Sequence, residues 1–214
     1  MNIYKGSMYH GTDMKILRMD GKQREERLAL CSAVSEYTYN FLLSKNVTYS
    51  AYTEEQLQNK EKLKDIWNSF CYFGMTKYSG FKNKSPLYQY NGLYVTNNFE
   101  RAVTYAKSSF IFGERGDVAY WLYKGAIRYD DYLESASDET KTVISDFETL
   151  LKETPAPVVV VMDKLDKQYI RHENGSDIDW DLWEESYLDG SLVDSFKLLN
   201  PQDYDLAAMK CISV

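Results

Sequence analysis

Four consecutive valines (Val158, Val159, Val160 and Val161) constrain this chain more than any other feature. β-Branched side chains favour extended backbone, and a run with no polar alternation offers no face to water. The stretch 155–165, PAPVVVVMDKL, therefore reads as a buried strand, and the fold must be built around the sheet that holds it.

The elements around it follow from periodicity and punctuation. Residues 3–10 read as a short strand ending at the Gly11-Thr12 pair. Residues 23–44 carry apolar side chains at three- and four-residue steps through Leu28, Cys31, Val34, Tyr37 and Phe41, which predicts a helix. A second amphipathic helix is expected over 54–73, capped by Thr53 and opened by Glu54 and Glu55. The turn-rich stretch 79–92 leads into a strand over 92–96, GLYVT. Asn97 or Asn98 then caps a short helix, FERAVTYAKSS. Residues 117–127 read as a strand and 138–153 as a helix. The segment 173–190 reads as an acidic, turn-rich connection, and SFKLLN and MKCISV as closing strands. Helices lead and strands dominate the remainder. The expected fold is α+β: one domain over 1–214, with N-terminal helices beside a largely antiparallel sheet system.

Composition narrows the function. With 44% apolar and 27% charged residues in 214, the chain reads as an ordinary globular protein. Only two histidines, His10 and His172, and three unclustered cysteines argue against a zinc site, and no metal is expected. Cys31, Cys71 and Cys211 sit in apolar contexts without a CxxC. They read as reduced core residues of a cytoplasmic protein, with no secretory leader and no membrane-length apolar run. The net charge of −7 is uneven, +5 over residues 1–107 and −12 over 108–214. Such a field biases which partners approach which face.

Three motifs carry the chemistry. Met8-Tyr9-His10-Gly11-Thr12 places a histidine beside a glycine that lets another group approach the backbone. Gly92-Leu93-Tyr94-Val95-Thr96 is a strand after a glycine turn. Tyr105 follows Tyr94 by eleven positions, on the next helix. His10-Gly11-Thr12, Gly92-Leu93-Tyr94 and the Thr104-Tyr105-Ala106 context together resemble the ADP-ribosyltransferase superfamily, in the branch shared by diphtheria-toxin-like enzymes and poly-ADP-ribose polymerases. The resemblance implies two packed, mainly antiparallel sheets (a split β-sandwich) with N-terminal helices flanking them, and NAD as the substrate, without a metal. The Gly11 main chain would hold the nicotinamide carboxamide and the His10 ring a ribose hydroxyl. Tyr94 and Tyr105 would sandwich the nicotinamide, with Thr12 close by. A serine found three residues before the second tyrosine in some members is Ala102 here.

The family's glutamate, at the start of a late strand, falls by register on Ser195, one residue after Asp194. A one-residue slip turns a strand side chain to the other face, and a bulge or strand-end position can restore it. Asp194 is the first candidate for the acid, with Glu184 and Glu185 as alternatives. The physical requirement stands apart from any name. Cleaving the nicotinamide glycosidic bond develops oxocarbenium character on the ribose, so the site must hold the ring, exclude water and stabilise the developing charge.

The expectation is an NAD-dependent mono-ADP-ribosyltransferase acting on a macromolecular acceptor, protein or nucleic acid. The small size suits a bacterial or phage effector, or a toxin held by an inhibitory antitoxin or regulatory partner. Two readings compete: an RNA 2′-phosphotransferase of the same fold, and a catalytically inactive nucleotide-binding or interaction module. Several features also have plainer explanations. His10 suits a strand end, Tyr94 a sheet and Asp194 a turn, while His172 suits a solvated loop. The basic-aromatic stretch through Lys77, Tyr78, Phe81, Lys82, Lys84, Tyr88 and Tyr90 suits either a solvated loop or a surface facing NAD or the acceptor. The acidic run through Glu173, Asp177, Asp179, Asp181, Glu184, Glu185 and Asp189 suits a solvated face or a surface for a basic partner. Gly113-Glu114-Arg115-Gly116 reads as a turn.

Overall fold

The computed structural model describes residues 2–45, 66, 68–70, 73, 92–108, 113–173, 175–200, 204–206 and 208–214. Much of the expected helix over 54–73, the turn-rich stretch 79–91, the basic-aromatic stretch and Cys71 lie outside the described residues; Ile66, residues 68–70 and Phe73 are helical. The chain divides into two compact units, one of residues 1–18, 82–110 and 155–214, the other of 19–81 and 111–154.

The first unit is one open sheet of six strands: β1 (Ser7–Asp13), β2 (Gly92–Thr96), β3 (Pro157–Asp163), β4 (Ile170–His172), β5 (Ser195–Leu199) and β6 (Lys210–Ser213). Their order is β4-β5-β2-β1-β3-β6, and every neighbouring pair is antiparallel. The valine run is β3, between β1 and β6, with Val158, Val159 and Val160 all buried. The fold is α+β, as the sequence implies, and among the described residues there is one open sheet where the resemblance implies two packed ones.

The reason is visible in what covers each face. Helix α1 (Met14–Arg18) follows β1 directly. Helix α3 (Phe99–Ser108) seals one face, where Ala102 and Ala106 pack on Val159 with Tyr9, Phe99 and Val103 around them. The other face buries Met8, Val95, Val160, Met162, Phe196 and Leu198 against Tyr187 and Trp180 of helix α6 (Trp180–Leu188). With helices on both faces, no second sheet is required to bury the valines.

Helix α6 itself corrects the sequence reading. The acidic stretch taken as a turn-rich connection holds a nine-residue helix, whose start is capped by the Asp179 carboxylate accepting from Leu182 N at 3.3 Å. β1 also runs later than expected. It starts at Ser7 and carries His10, Gly11 and Thr12 within the ladder, ending at Asp13.

The second unit is helical, with α2 (Gly21–Ser44), α4 (Gly113–Ala126) and α5 (Asp138–Leu151). Helix α2 opens with a capping box. Asp20 accepts from Gln23 N at 2.8 Å, and the Gln23 side chain accepts from Asp20 N at 3.1 Å. Its buried residues Cys31, Val34, Ser35, Thr38, Tyr39, Phe41 and Leu42 repeat at helical steps.

The strand expected over 117–127 is instead most of α4, and the Gly113-to-Gly116 turn is its start. Its buried side chains, Val118, Ala119, Leu122, Tyr123 and Ala126, fall at helical spacing. The aromatic and β-branched content suggested a strand, but the period belongs to a helix. An aromatic and hydroxyl network ties this unit together. Thr38 Oγ1 and Tyr132 Oη lie 2.9 Å apart, Tyr37 Oη donates to Tyr132 O at 2.7 Å, and Tyr123 Oη donates to Glu148 Oε1 at 2.6 Å. Burial pushes the Tyr132 phenol up to about 12, and burial of Cys31 raises its thiol to about 11. Among the described residues no helix is long and apolar enough to cross a membrane.

Candidate functional site

The site is built where β1 meets β2. Among the described residues these strands share one register pair, Tyr9↔Thr96, whereas β2 and β5 share five, from Gly92↔Leu199 to Thr96↔Ser195. Beyond Tyr9 a side chain supplies the link: His10 Nδ1 lies 2.8 Å from Tyr94 O. A carbonyl can only accept, so Nδ1 carries the proton and Nε2 is the acceptor of the neutral ring. Burial lowers the His10 pKa from its usual value, outweighing the opposing effect of the carbonyl, so the neutral ring is favoured at neutral pH. The motif histidine is thus locked in one tautomer with its distal nitrogen as a base or acceptor.

Gly11 occupies a position no other residue fits without a backbone shift. A Cβ there would stand 2.0 Å from Ala102 O and 2.6 Å from Ala106 N. The glycine lets α3 lie directly on β1, and Ala102 and Ala106 are the small residues that complete this approach. Ala102 therefore has a packing role at the position where the resemblance would allow a serine. Asn98 Oδ1 caps α3 by accepting from Arg101 N at 2.8 Å, as the sequence predicts.

Strand alternation sorts the remaining residues. Tyr9 and Gly11 face α3, as Tyr9 packs edge-on to Phe99 and Gly11 abuts Ala102. Register carries that face outward to Thr96 and Ser195, and Tyr94, in turn, is paired with Lys197. His10 falls on the opposite side with Met8 and reaches Tyr94 through its main chain, not its ring. The Tyr94 ring is 42% exposed and the Tyr105 ring on α3 is 45% exposed. Large aromatics at this exposure beside a close glycine contact are suited to stack a planar ligand. The Tyr105 hydroxyl accepts from Arg101 Nε at 3.4 Å. That bond, helped by Tyr105, Asp194 and Glu173 as negative neighbours, raises the guanidinium pKa against the opposing effect of its burial. Thr12 is buried, one residue beyond Gly11 in β1.

The acids separate clearly. Asp194 precedes β5. Its N–H donates to Asn97 Oδ1 at 3.0 Å, its Oδ1 accepts from Ser195 N at 2.7 Å, and its Oδ2 is 3.6 Å from His172 Nδ1. The carboxylate thus groups with His172, which stacks near Phe196 on the face opposite Tyr94. Ser195, not Asp194, shares the Tyr94 face. Glu184 is committed elsewhere, accepting from Lys167 Nζ at 2.6 Å in a largely buried pair, and Glu185 is exposed on α6. The acidic run also pairs through Asp177 with Arg171 at 2.8 Å.

Two residues escaped sequence reasoning. Lys197 is 1% exposed within β5, with its Nζ 5.2 Å from the centre of the Tyr94 ring. A lone lysine between Phe196 and Leu198 is the signal that could have found it, since a charge inside an apolar strand is rarely incidental. His172 lies on β4 beside Asp194 and not in a solvated loop. Among the described residues no cluster of three or more His, Cys, Asp or Glu side chains is placed to hold a metal. No family model matches the chain, and no curated protein or solved structure does either.

Proposed function

We propose that the chain is an NAD-dependent mono-ADP-ribosyltransferase whose nicotinamide site lies at the β1–β2 junction. One observation carries this reading: His10 is held in a single neutral tautomer by Tyr94 O where β1 and β2 meet, with Gly11 pressed on α3 and the exposed Tyr94 and Tyr105 residues on the other face of the same junction. In this reading Nε2 of His10 accepts from a ribose hydroxyl and the Gly11 main chain holds the carboxamide. Tyr94 and Tyr105 restrain the nicotinamide, so that loss of the neutral ring leaves positive charge on the ribose. Asp194 remains the acid nearest this end of β5. Its Oδ2 lies 3.6 Å from His172 Nδ1, and its charge also acts on Arg101, whose guanidinium bonds the Tyr105 hydroxyl. The acceptor is a protein side chain or a nucleic-acid base, and a partner that silences a toxin or effector fits the chain's size.

The test uses NAD tagged on its adenosine, incubated with the protein and a cell lysate, with protein and nucleic-acid fractions separated. Label in one fraction, lost in His10→Ala and Tyr94→Ala, is the expected result and identifies the acceptor class. Absence of label in both fractions, with NAD bound but intact, would replace the transferase by a nucleotide-binding module.

A further inference from the structure

We infer that the outer side of helix α6 is a docking surface for a basic amphipathic segment of a partner protein, with Leu182 as the apolar anchor and Asp181, Glu185 and Asp189 as the flanking charges. The inference goes beyond the proposed chemistry and does not depend on it.

Three observations meet on this helix. Trp180 and Tyr187 pack into the core of the sheet unit, which fixes the inner side of the helix. At about 100° per residue, Leu182 stands roughly 200° from Trp180, on the outer side. Leu182 is 63% exposed, and Trp183 and Leu188, at the two margins of that side, are 39% and 42% exposed. With Val193 they make four of the nine exposed large apolar side chains among the described residues, gathered within 182–193. Scattered apolar residues are ordinary on a surface, whereas a concentration of them marks a place of interaction. Asp181, Glu185 and Asp189, all exposed, follow one another at four-residue steps along the same outer side.

The arrangement is unfavourable for the helix by itself. Like charges at four-residue steps repel, and Asp189 at the C-cap opposes the helix dipole. Hydrogen bonding with Ser191 holds the Asp189 carboxyl below its usual range, so its charge is kept. No lysine or arginine lies between Arg171 and Lys197, a stretch that holds eight acids. Lys167 reaches the helix but pairs with Glu184 in a largely buried contact. An apolar anchor set among carboxylates selects a partner that brings an apolar side chain flanked by lysines or arginines, as one face of a basic amphipathic helix does. The same charge disfavours anionic bilayers and nucleic acid, and a second copy docked through this face would set acids against acids.

The experiment follows fluorescence anisotropy of labelled peptides mixed with the full chain at about 0.15 M salt. One peptide is a helix of leucine and lysine with the leucines on one face. The second has the same composition scrambled to destroy that face, and the third replaces lysine by glutamate. Vesicles containing phosphatidylserine are the fourth probe, read by co-sedimentation. The variants are Leu182→Ser, Glu185→Lys and Leu133→Ser, with circular dichroism to confirm folding. Leu133, 43% exposed in the helical unit, is the matched control. The faced leucine–lysine peptide is expected to bind at least about tenfold tighter than the scrambled one, to lose about tenfold in Leu182→Ser and in Glu185→Lys, and to stay within about twofold in Leu133→Ser. Equal binding of the faced and scrambled peptides reduces the surface to general charge attraction and overturns the proposal. Unchanged affinity in Leu182→Ser and Glu185→Lys, or no binding of the faced peptide to the parent protein, also overturns it. Binding of the glutamate peptide or of the vesicles that Leu182→Ser removes overturns the choice of a basic partner. None of these readouts involves NAD, so the outcome is separate from that of the transferase reading.

Discussion

Replacing Gly11 by alanine isolates the contact on which the candidate site depends. The added Cβ would lie 2.0 Å from Ala102 O, 2.6 Å from Ala106 N and 3.0 Å from Ala102 C. All three atoms are main chain, so no rotamer change relieves them. An ordinary contact needs roughly 3.5 Å, so α3 must retreat by more than about 1 Å along its whole seat on β1. That retreat also unpacks Ala102 and Ala106 from Val159. Overpacking typically costs about 1–3 kcal/mol, and a clash with backbone belongs at the upper end, about 3 kcal/mol. For a chain of this length the melting temperature should fall by roughly 6–12 °C. Gly21→Ala is the matched control, since a Cβ at Gly21 meets nothing within 4 Å. Thermal unfolding followed by circular dichroism reads both. A Gly11→Ala protein that melts within about 2 °C of the parent would refute the argument that this glycine is required by close approach.

Other substitutions test the framework around the site. Asp13 is buried, and its carboxylate accepts from Lys15 N at 2.8 Å and from Ala156 N at 2.6 Å. Asp13→Ala should cost about 3 kcal/mol in urea unfolding by orphaning both donors. Thr38→Val should cost about 1–3 kcal/mol by the same measurement, because it strands the buried Tyr132 hydroxyl 2.9 Å away. His10 has a lowered pKa in the folded state, so between that value and the ordinary one the unfolded chain binds more protons. The stability it supports is therefore complete above about pH 6.5 and lost as pH falls through the lowered value; His10→Gln should flatten that part of a stability-against-pH curve.

The parts legible in the sequence were those written locally. The valine run, the 92–96 strand, the Asn98 cap and the long helix ending at Ser44 each carry their signal within a few residues. Strand order and the choice of one sheet over two depend on which surfaces meet, and no local pattern encodes them. Helix α4 was hidden because Val118, Tyr120, Trp121 and Tyr123 favour strands by type, while burial at Val118, Leu122 and Ala126 obeys a helical period. Helix α6 was hidden by its acidic residues, two of which flank it as caps at Asp179 and Asp189. At the site, the resemblance singles out His10 and Tyr94 as residues of one pocket, but the bond from His10 Nδ1 to the Tyr94 main-chain carbonyl has no signal in the sequence. At the start of β5, register places Ser195 and Lys197 on the Tyr94 face, while the Asp194 carboxylate lies 3.6 Å from His172 Nδ1.

The most direct measurement is nicotinamide release from NAD, followed by chromatography at pH 7.5 with the purified protein, Tyr94→Ala and His10→Ala. The account predicts release by the parent protein and a loss of at least about a hundredfold in each variant, since stacking and the ribose contact both act at the breaking bond. No release by the parent at high protein concentration, or release that survives both substitutions, would contradict it.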